Sequence, residues 1–283
     1  VDWLIEDVGI AFRDDPVALD LWRAEGAKLD GDIIRAPADW IRSLCAKAPN
    51  KFTQIARNPE RSVEIGGDNQ VFAPIYGAPF VRDLEGGRRY GDIASFNDLV
   101  RLTYMLPSLH HGGFVTCEPC DVPVNKRHLD MLLAHMTLSD KPHLGAITEM
   151  SRAQDSVDMA EIVFGKEVMD ANCVIMGNVN TNSPLLVDKV VTEAARVYSS
   201  RGQGMVVVPF ILSGAMGPVS TAASVAQAMA EAMMVCAYIQ LLRPGAPFVL
   251  GNFLSSMSLK SGAPTFGMPE PVISNYAIGQ LAR

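Results

Sequence analysis

Two carboxylates stand where chemistry would want them. Glu118 follows the apolar run Gly113–Cys117 and Glu149 follows Leu144–Thr148, so each sits just past the end of an expected strand. A pair placed like this can act as acid and base, or can balance a bound cation. The plainer role for Glu149 is contact with the N-terminus of a helix starting near Ser151. The cluster Asn178-Val179-Asn180-Thr181-Asn182-Ser183-Pro184 follows Cys173–Gly177 and holds more hydrogen-bonding side chains than a turn needs. Asn182 or Ser183 is expected to cap a helix before Pro184, which leaves Asn178 and Asn180 to face a ligand. Two glycine-rich loops complete the set. Ser213-Gly214-Ala215-Met216-Gly217-Pro218 could admit a bulky planar ligand or expose amide donors, and Ser261-Gly262 opens a loop running to Glu270, after the polar pair Asn252 and Ser255.

Cysteine and histidine offer less. Cys117 and Cys120 have the spacing of half a zinc site with His110 and His111 upstream, but no second pair follows at similar spacing, and no metal is expected. His128 and His135 lie seven apart on one helix face without a carboxylate-rich ligand set, which reads as surface or packing. The five cysteines are too scattered for a disulfide framework and fit a reducing cytoplasm.

These residues must be held by a repeating scaffold. Short apolar runs at Gly113–Cys117, Leu144–Thr148, Cys173–Gly177, Met205–Phe210 and Phe248–Asn252 are each followed by a helical stretch. Those stretches are Asn125–Leu138, Ser151–Val168, Leu185–Tyr198, Val219–Leu242 and Pro269–Leu281. Most repeats span roughly 30 residues, the length of a βα unit. An earlier strand Val71–Tyr76 and a helix Phe96–Leu106 capped by Ser95, with a hairpin turning at Gly86-Gly87 between them, bring the expected total to six units. Upstream, residues 1–62 read as a helical region in which Asp15 caps a helix at Pro16 and a second opens after Pro37. The reading is therefore an α/β chain: an N-terminal helical region, then a TIM-type barrel over 63–283. No Gly-x-Gly-x-x-Gly follows a strand, which speaks against a dinucleotide fold, and polar residues just after the strands suit the mouth of a barrel. His143, directly before a strand, belongs at its bottom. Six units leave an eight-stranded ring incomplete, so the expectation is either that the sequence is a fragment, or that another chain or a noncanonical closure covers the edges.

Composition narrows the partners. With 24 basic against 31 acidic residues and a net charge of −7, the chain lacks the surface that nucleic acid requires, while 48% hydrophobic residues suffice for a core. The apolar stretch from Val206 to Ala226 is broken by prolines and glycines, and no membrane span is expected there. A small molecule, a protein and possible copies of the chain itself are the partners left.

The segments Pro209–Val219, Gly251-Asn252-Phe253 and Leu259–Glu270, together with Val8-Gly9-Ile10, Asp15-Pro16, Ile34–Pro37 and Ala48-Pro49, resemble the trimethylamine methyltransferase family over essentially the whole chain. The resemblance implies a barrel enzyme that passes a methyl group from a methylated amine to the cobalt of a corrinoid carried by a partner protein, with no cofactor held tightly by this chain. It implies that Glu118, Glu149, Tyr76 and Phe253, with Asn178 and Asn180, hold the amine by charge and aromatic faces. It also implies that Ser213, Gly214, Met216, Gly217, Asn252, Ser261 and Gly262 face the corrinoid partner. In trimethylamine-specific members a pyrrolysine lies beyond the segment matching Ala277–Arg283, so trimethylamine and a betaine stay open. Two rivals stand beside this reading: a quaternary-amine-binding protein without turnover, and a Schiff-base lyase using Lys260.

Overall fold

The computed structural model describes residues 1–283. In chain order the elements begin β1 (Ile10–Phe12), α1 (Pro16–Ala24), β2 (Lys28–Asp30), β3 (Ile33–Arg35), α2 (Ala38–Cys45), β4 (Lys51–Gln54) and β5 (Val63–Gly66). They continue with β6 (Phe80–Asp83), β7 (Gly87–Tyr90), α3 (Ile93–Met105), α4 (Arg127–Leu138), β8 (His143–Gly145), α5 (Met150–Phe164), α6 (Lys166–Ala171) and β9 (Ile175–Thr181). The rest are β10 (Leu186–Val187), α7 (Lys189–Ser200), β11 (Gly204–Ser213), α8 (Thr221–Leu242), β12 (Phe248–Leu250), β13 (Phe253–Ser256) and α9 (Pro269–Ala282). The chain forms two compact units, one of Val1–Pro49, Asn178–Ser200 and Met205–Arg283, the other of Asn50–Gly177 and Arg201–Gly204.

In the first unit Asp15 caps α1 as its sequence demands, its carboxylate accepting the amides of Val17 at 3.1 Å and Ala18 at 3.2 Å. The same buried carboxylate takes the Arg196 guanidinium at 2.5 Å, and Arg196 also donates to the Tyr238 hydroxyl at 2.8 Å. Burial raises the Asp15 pKa, yet the bonds from Arg196, Thr192 and the Ala18 amide outweigh it and hold the group below its ordinary value. Besides the two expected helices, short strands appear that the helical pattern does not announce. They build a small sheet in the order β10, β1, β3, β2. Beneath it Phe12 meets Trp22 and Tyr238 edge-on, with centroids 5.6 and 5.7 Å apart.

The second sheet of this unit is parallel. β11 pairs with β12 from Met205↔Phe248 to Val207↔Leu250, then with β13 from Phe210↔Phe253 to Ser213↔Ser256. The expected strand Phe248–Asn252 is thus split. Gly251 marks the break, where any side chain would strike Val208 Cγ2 at 2.5 Å. Ile211 and Leu254 pack with Val225, Ala228, Met229 and Ile278 of α8 and α9. α8 is apolar on almost every side, as befits a core helix. By length and composition it is the one helix that could cross a membrane, and most of it is buried within the structure.

In the second unit β4 pairs with β5 and β6 with β7, the latter being the hairpin that Gly86-Gly87 announces. β8 lies parallel to β9, from His143↔Ile175 to Gly145↔Gly177. Several expected elements differ. Val71–Tyr76 forms no strand, because Pro74 cannot donate to a ladder. Gly113–Cys117 forms none either; Gly113 has a φ of +67°, which breaks an extended run at its start. Gly165, with a φ of +81°, divides the expected helix Ser151–Val168 into α5 and α6. Asp92, not Ser95, caps α3, accepting the Ser95 amide at 2.7 Å. Of the two roles open to His128, surface or packing, the structure shows packing: it is buried against Asp155 at 2.7 Å.

The C-terminus of α3 is closed by a cation. Lys141 Nζ donates to Thr103 O at 2.7 Å, Leu106 O at 2.9 Å and Leu109 O at 2.7 Å, using all three of its protons. Replacing it by methionine, Lys141→Met, keeps the apolar stem and orphans three carbonyls, so about 2 kcal/mol should be lost. Urea unfolding checks this, and an unchanged midpoint would contradict the capping role.

The architecture is a mixed α/β fold with parallel strands and intervening helices, and those strands do not close into a ring.

Candidate functional site

In the second unit, the segment 67–79 is laid along residues 110–118 by main-chain bonds. His110 and His111 N–H donate to Phe72 O at 2.9 and 3.0 Å, Gly77 N–H donates to Val115 O at 2.7 Å, and Glu118 N–H donates to Ala78 O at 2.8 Å. This pinning brings Tyr76 within electrostatic reach of Glu118. Burial, and then the Glu118 carboxylate, push the Tyr76 hydroxyl up to about 12. The phenol therefore stays protonated and can donate to an acceptor.

Glu118 itself is not a free anion. Arg127, in the first turn of α4, donates from Nη1 to Glu118 Oε1 at 3.0 Å, while its Nε and Nη2 donate to Val122 O at 3.1 and 2.9 Å. A cation in the first turn opposes the helix dipole, so this arginine is placed for a neighbouring anion. Behind the pair, Gly91 is required: a Cβ there would meet Glu118 O at 2.6 Å and Cys117 Sγ at 3.0 Å. Burial, aided by Asp92, Cys120, Glu118 and Asp121, pushes the Cys117 thiol up to about 11, which leaves it a poor nucleophile. No three of His, Cys, Asp and Glu converge on a point that could hold a metal ion.

Glu149 occupies the N-cap position of α5, but its carboxylate accepts no helix amide and instead pairs with Arg152 at 2.9 Å on an exposed surface. Of the sequence-derived residues in this unit, the structure brings Tyr76 and Glu118 together.

In the first unit, Asn178 and Asn180 lie within β9 rather than in a loop after it. Alternation still puts both on one face of the strand. Asn180 is exposed, and Asn178 Oδ1 is buried without a partner. Neither Asn182 nor Ser183 caps a helix, since Leu186 and Val187 pair with β1 and Asp188 caps α7 through the Val191 amide at 3.1 Å. Thr181 and Ser183 turn instead to Glu231 of α8, a fully buried carboxylate, at 2.5 and 2.6 Å. The Leu185 amide at 2.8 Å and Gln227 Nε2 at 2.9 Å complete its shell.

Because Ile211 and Leu254 face the helices, their neighbours Phe210 and Phe253 point to the opposite face of the sheet. There Phe253, still exposed, meets Phe210 and Phe266 with centroids at 5.0 and 5.4 Å, the contact with Phe266 being stacked. Phe266, more than half exposed, carries the open end of the stack. Ser213 and Ser256 are register partners, and the loops holding Gly214, Met216 and Gly217, and Ser261 and Gly262, therefore leave the same ends of β11 and β13. Ser213 Oγ bonds Ser224 Oγ at 2.8 Å, and Asn252 Nδ2 donates to Asn275 Oδ1 at 2.6 Å. Gly262 N–H closes a turn on Ser258 O at 2.8 Å. Lys260, in that turn, is exposed.

Sequence reasoning missed Arg127 and Glu231. Each carried a signal, a cation where a helix begins and a lone acid deep in an apolar helix.

Residues 1–283 match the family described as Trimethylamine methyltransferase (MTTB). The glycine betaine methyltransferase of Desulfitobacterium hafniense (strain Y51) is 35% identical over 281 residues, covering 99% of this chain and 58% of that protein. The proline betaine:corrinoid methyltransferase of Eubacterium limosum is 23% identical over 298 residues, covering 99% of the chain and 59% of its own length. The trimethylamine methyltransferase MttB of Desulfitobacterium hafniense (strain DSM 10664 / DCB-2) is 20% identical over 284 residues, covering 94% and 54%. The chain spans little more than half the length of these relatives.

Proposed function

We propose, from the fact that the chain belongs to the trimethylamine methyltransferase family over its whole length, that it binds a methylated amine and presents one methyl group to a corrinoid carried by a partner protein. The names of two relatives, which specify glycine betaine and proline betaine, support a quaternary amine as the substrate class. The observation that carries the reading is the joint placement of Tyr76 and Glu118, an aromatic face and a carboxylate on two segments bonded to each other through their main chains, which suits an alkylated ammonium.

When bound, the reduced cobalt of the corrinoid supplies the nucleophile, and the leaving amine departs neutral. The residues of this chain need only bind the cation, orient it and exclude water. The two loops beyond Ser213 and Ser256 open at the same strand ends and expose Phe266 and Met268, which fits a broad planar group of the corrin kind. The alternation of parallel strands and helices supports a TIM-type barrel as the finer description of the fold. Five free cysteines support a cytoplasmic setting, and pairing of copies is retained as part of the proposal.

The test is methyl transfer from a panel of trimethylamine, glycine betaine, proline betaine and carnitine to reduced cobalamin under anaerobic conditions, with the demethylated amine measured by mass spectrometry. One amine should be consumed in proportion to protein. Binding of a quaternary amine with no demethylation of any of them, with the cognate corrinoid protein present, would favour a binding protein instead.

A further inference from the structure

We propose that the Arg127–Glu118 ion pair reads a zwitterion: Arg127 takes the carboxylate of a betaine while Glu118 and Tyr76 hold its ammonium end. This rests on the methylated-amine reading above and adds the group that would distinguish a betaine from a simple alkylammonium.

The argument begins with charge. A site meant for a cation alone is best served by an unpaired carboxylate, yet Glu118 is bonded to a guanidinium at 3.0 Å. That neighbour weakens its pull on any ligand carrying only positive charge. A betaine carries both signs, and its ammonium nitrogen and carboxylate carbon are about 2.5 Å apart by standard bond lengths and angles. Set antiparallel to the ion pair, such a molecule places each of its charges against the opposite one. The pair offers both signs side by side, joined by one 3.0 Å bond from Nη1 to Oε1.

Donor capacity agrees. Arg127 has five N–H groups, and its bonds to Glu118 and Val122 use three, one from each nitrogen. Each terminal nitrogen keeps one proton free for an acceptor such as a carboxylate. The two bonds to Val122 O fix the plane of the guanidinium, so little freedom is lost on binding. At the ammonium end, the Tyr76 ring is partly exposed and lies on a segment fastened to residues 115–118 by main-chain bonds. A quaternary ammonium has no N–H to donate, so a ring face and a carboxylate at a distance are the contacts open to it.

The test compares ligands before it compares variants. Affinities of the whole chain for glycine betaine, glycine betaine methyl ester and tetramethylammonium are measured by calorimetry, then repeated with Arg127→Met and Arg127→Lys, whose folding is checked by circular dichroism. The wild type should prefer the betaine over both carboxylate-free cations by about tenfold or more, as sites built to bond a polar group do. Arg127→Met should lower betaine affinity and raise that for tetramethylammonium, because Glu118 is then unpaired, so the ratio falls to one or below, and Arg127→Lys should fall between. A wild-type ratio near one overturns the inference, and that comparison decides even where a variant fails to fold. An unchanged ratio in folded Arg127→Met overturns it too. Selective betaine binding with no demethylation would leave the zwitterion site standing and remove the methyltransferase reading. Demethylation with no preference would do the reverse.

Discussion

Acidification from about pH 7 to about pH 5 should remove on the order of 4 kcal/mol of folding stability through buried imidazoles alone. His111, His135 and His143 lie buried in the second unit, and the hydrogen bonds fix their protons. His111 Nδ1 accepts the Gly113 amide at 2.9 Å, so its Nε2 carries the proton toward Gln54 Oε1 at 3.1 Å. His135 Nε2 donates to Phe114 O at 2.8 Å, and its Nδ1 has no partner. His143 Nδ1 donates to Leu144 O at 2.9 Å, and the His135 and His143 rings stack at 5.3 Å. All three are thus neutral. Burial first, and then His143 beside them, push His111 and His135 from 6.5 to about 3, while burial lowers His143 in the same direction.

The unfolded chain takes up these protons as the pH falls below 6.5, and the folded chain refuses them until about 3. Stability is therefore full above this window and falls as pH descends through it, by about 1.4 kcal/mol per pH unit for each histidine. For the two most displaced groups the sum by pH 5 approaches the roughly 5–15 kcal/mol that holds an ordinary domain together. Urea midpoints of the wild type and of His111→Gln/His135→Phe, taken from pH 8 to pH 5, check this. The wild-type curve should fall more steeply, and parallel curves would remove the histidines as the cause.

Glu231→Ala should cost about 4 kcal/mol. The carboxylate is fully buried and accepts from Thr181, Ser183, the Leu185 amide and Gln227, so truncation strands four donors in the interior and leaves a cavity. Glu231→Gln should cost less, about 1–2 kcal/mol, because the two hydroxyls can turn to accept from the new amide while its oxygen keeps the Leu185 bond. Chemical unfolding of the two variants ranks them, and a glutamine variant as weak as the alanine one would argue against this account.

What the sequence disclosed depended on whether a signal was local. The Asp15 cap and the hairpin at Gly86-Gly87 are short-range consequences of side-chain chemistry, and both appear, while the βα rhythm appears from β8 onward and not in its first two strands. The strand expected at Val71–Tyr76 failed because apolarity was weighed above the missing donor of Pro74. Asn178 and Asn180, expected in a loop, belong to the strand because β9 continues past Gly177. The helix expected from Leu185 yielded to the pairing of Leu186 and Val187 with β1, a contact with residues far away in sequence. Arg127 and Glu231 were hidden for a related reason. Each is explained by a partner from another element, and only the assembled chain shows which.

The strap from 67 to 79 is gripped at both ends by peptide groups on either side of the contact. Peptide groups are blind to the side chains they carry. Exchanging Ile75 or Tyr76 therefore redraws what the strap offers a ligand without redrawing its path. A library restricted to these two positions would vary the proposed binding surface at little cost in folding, and so would test the proposed site apart from the fold that holds it.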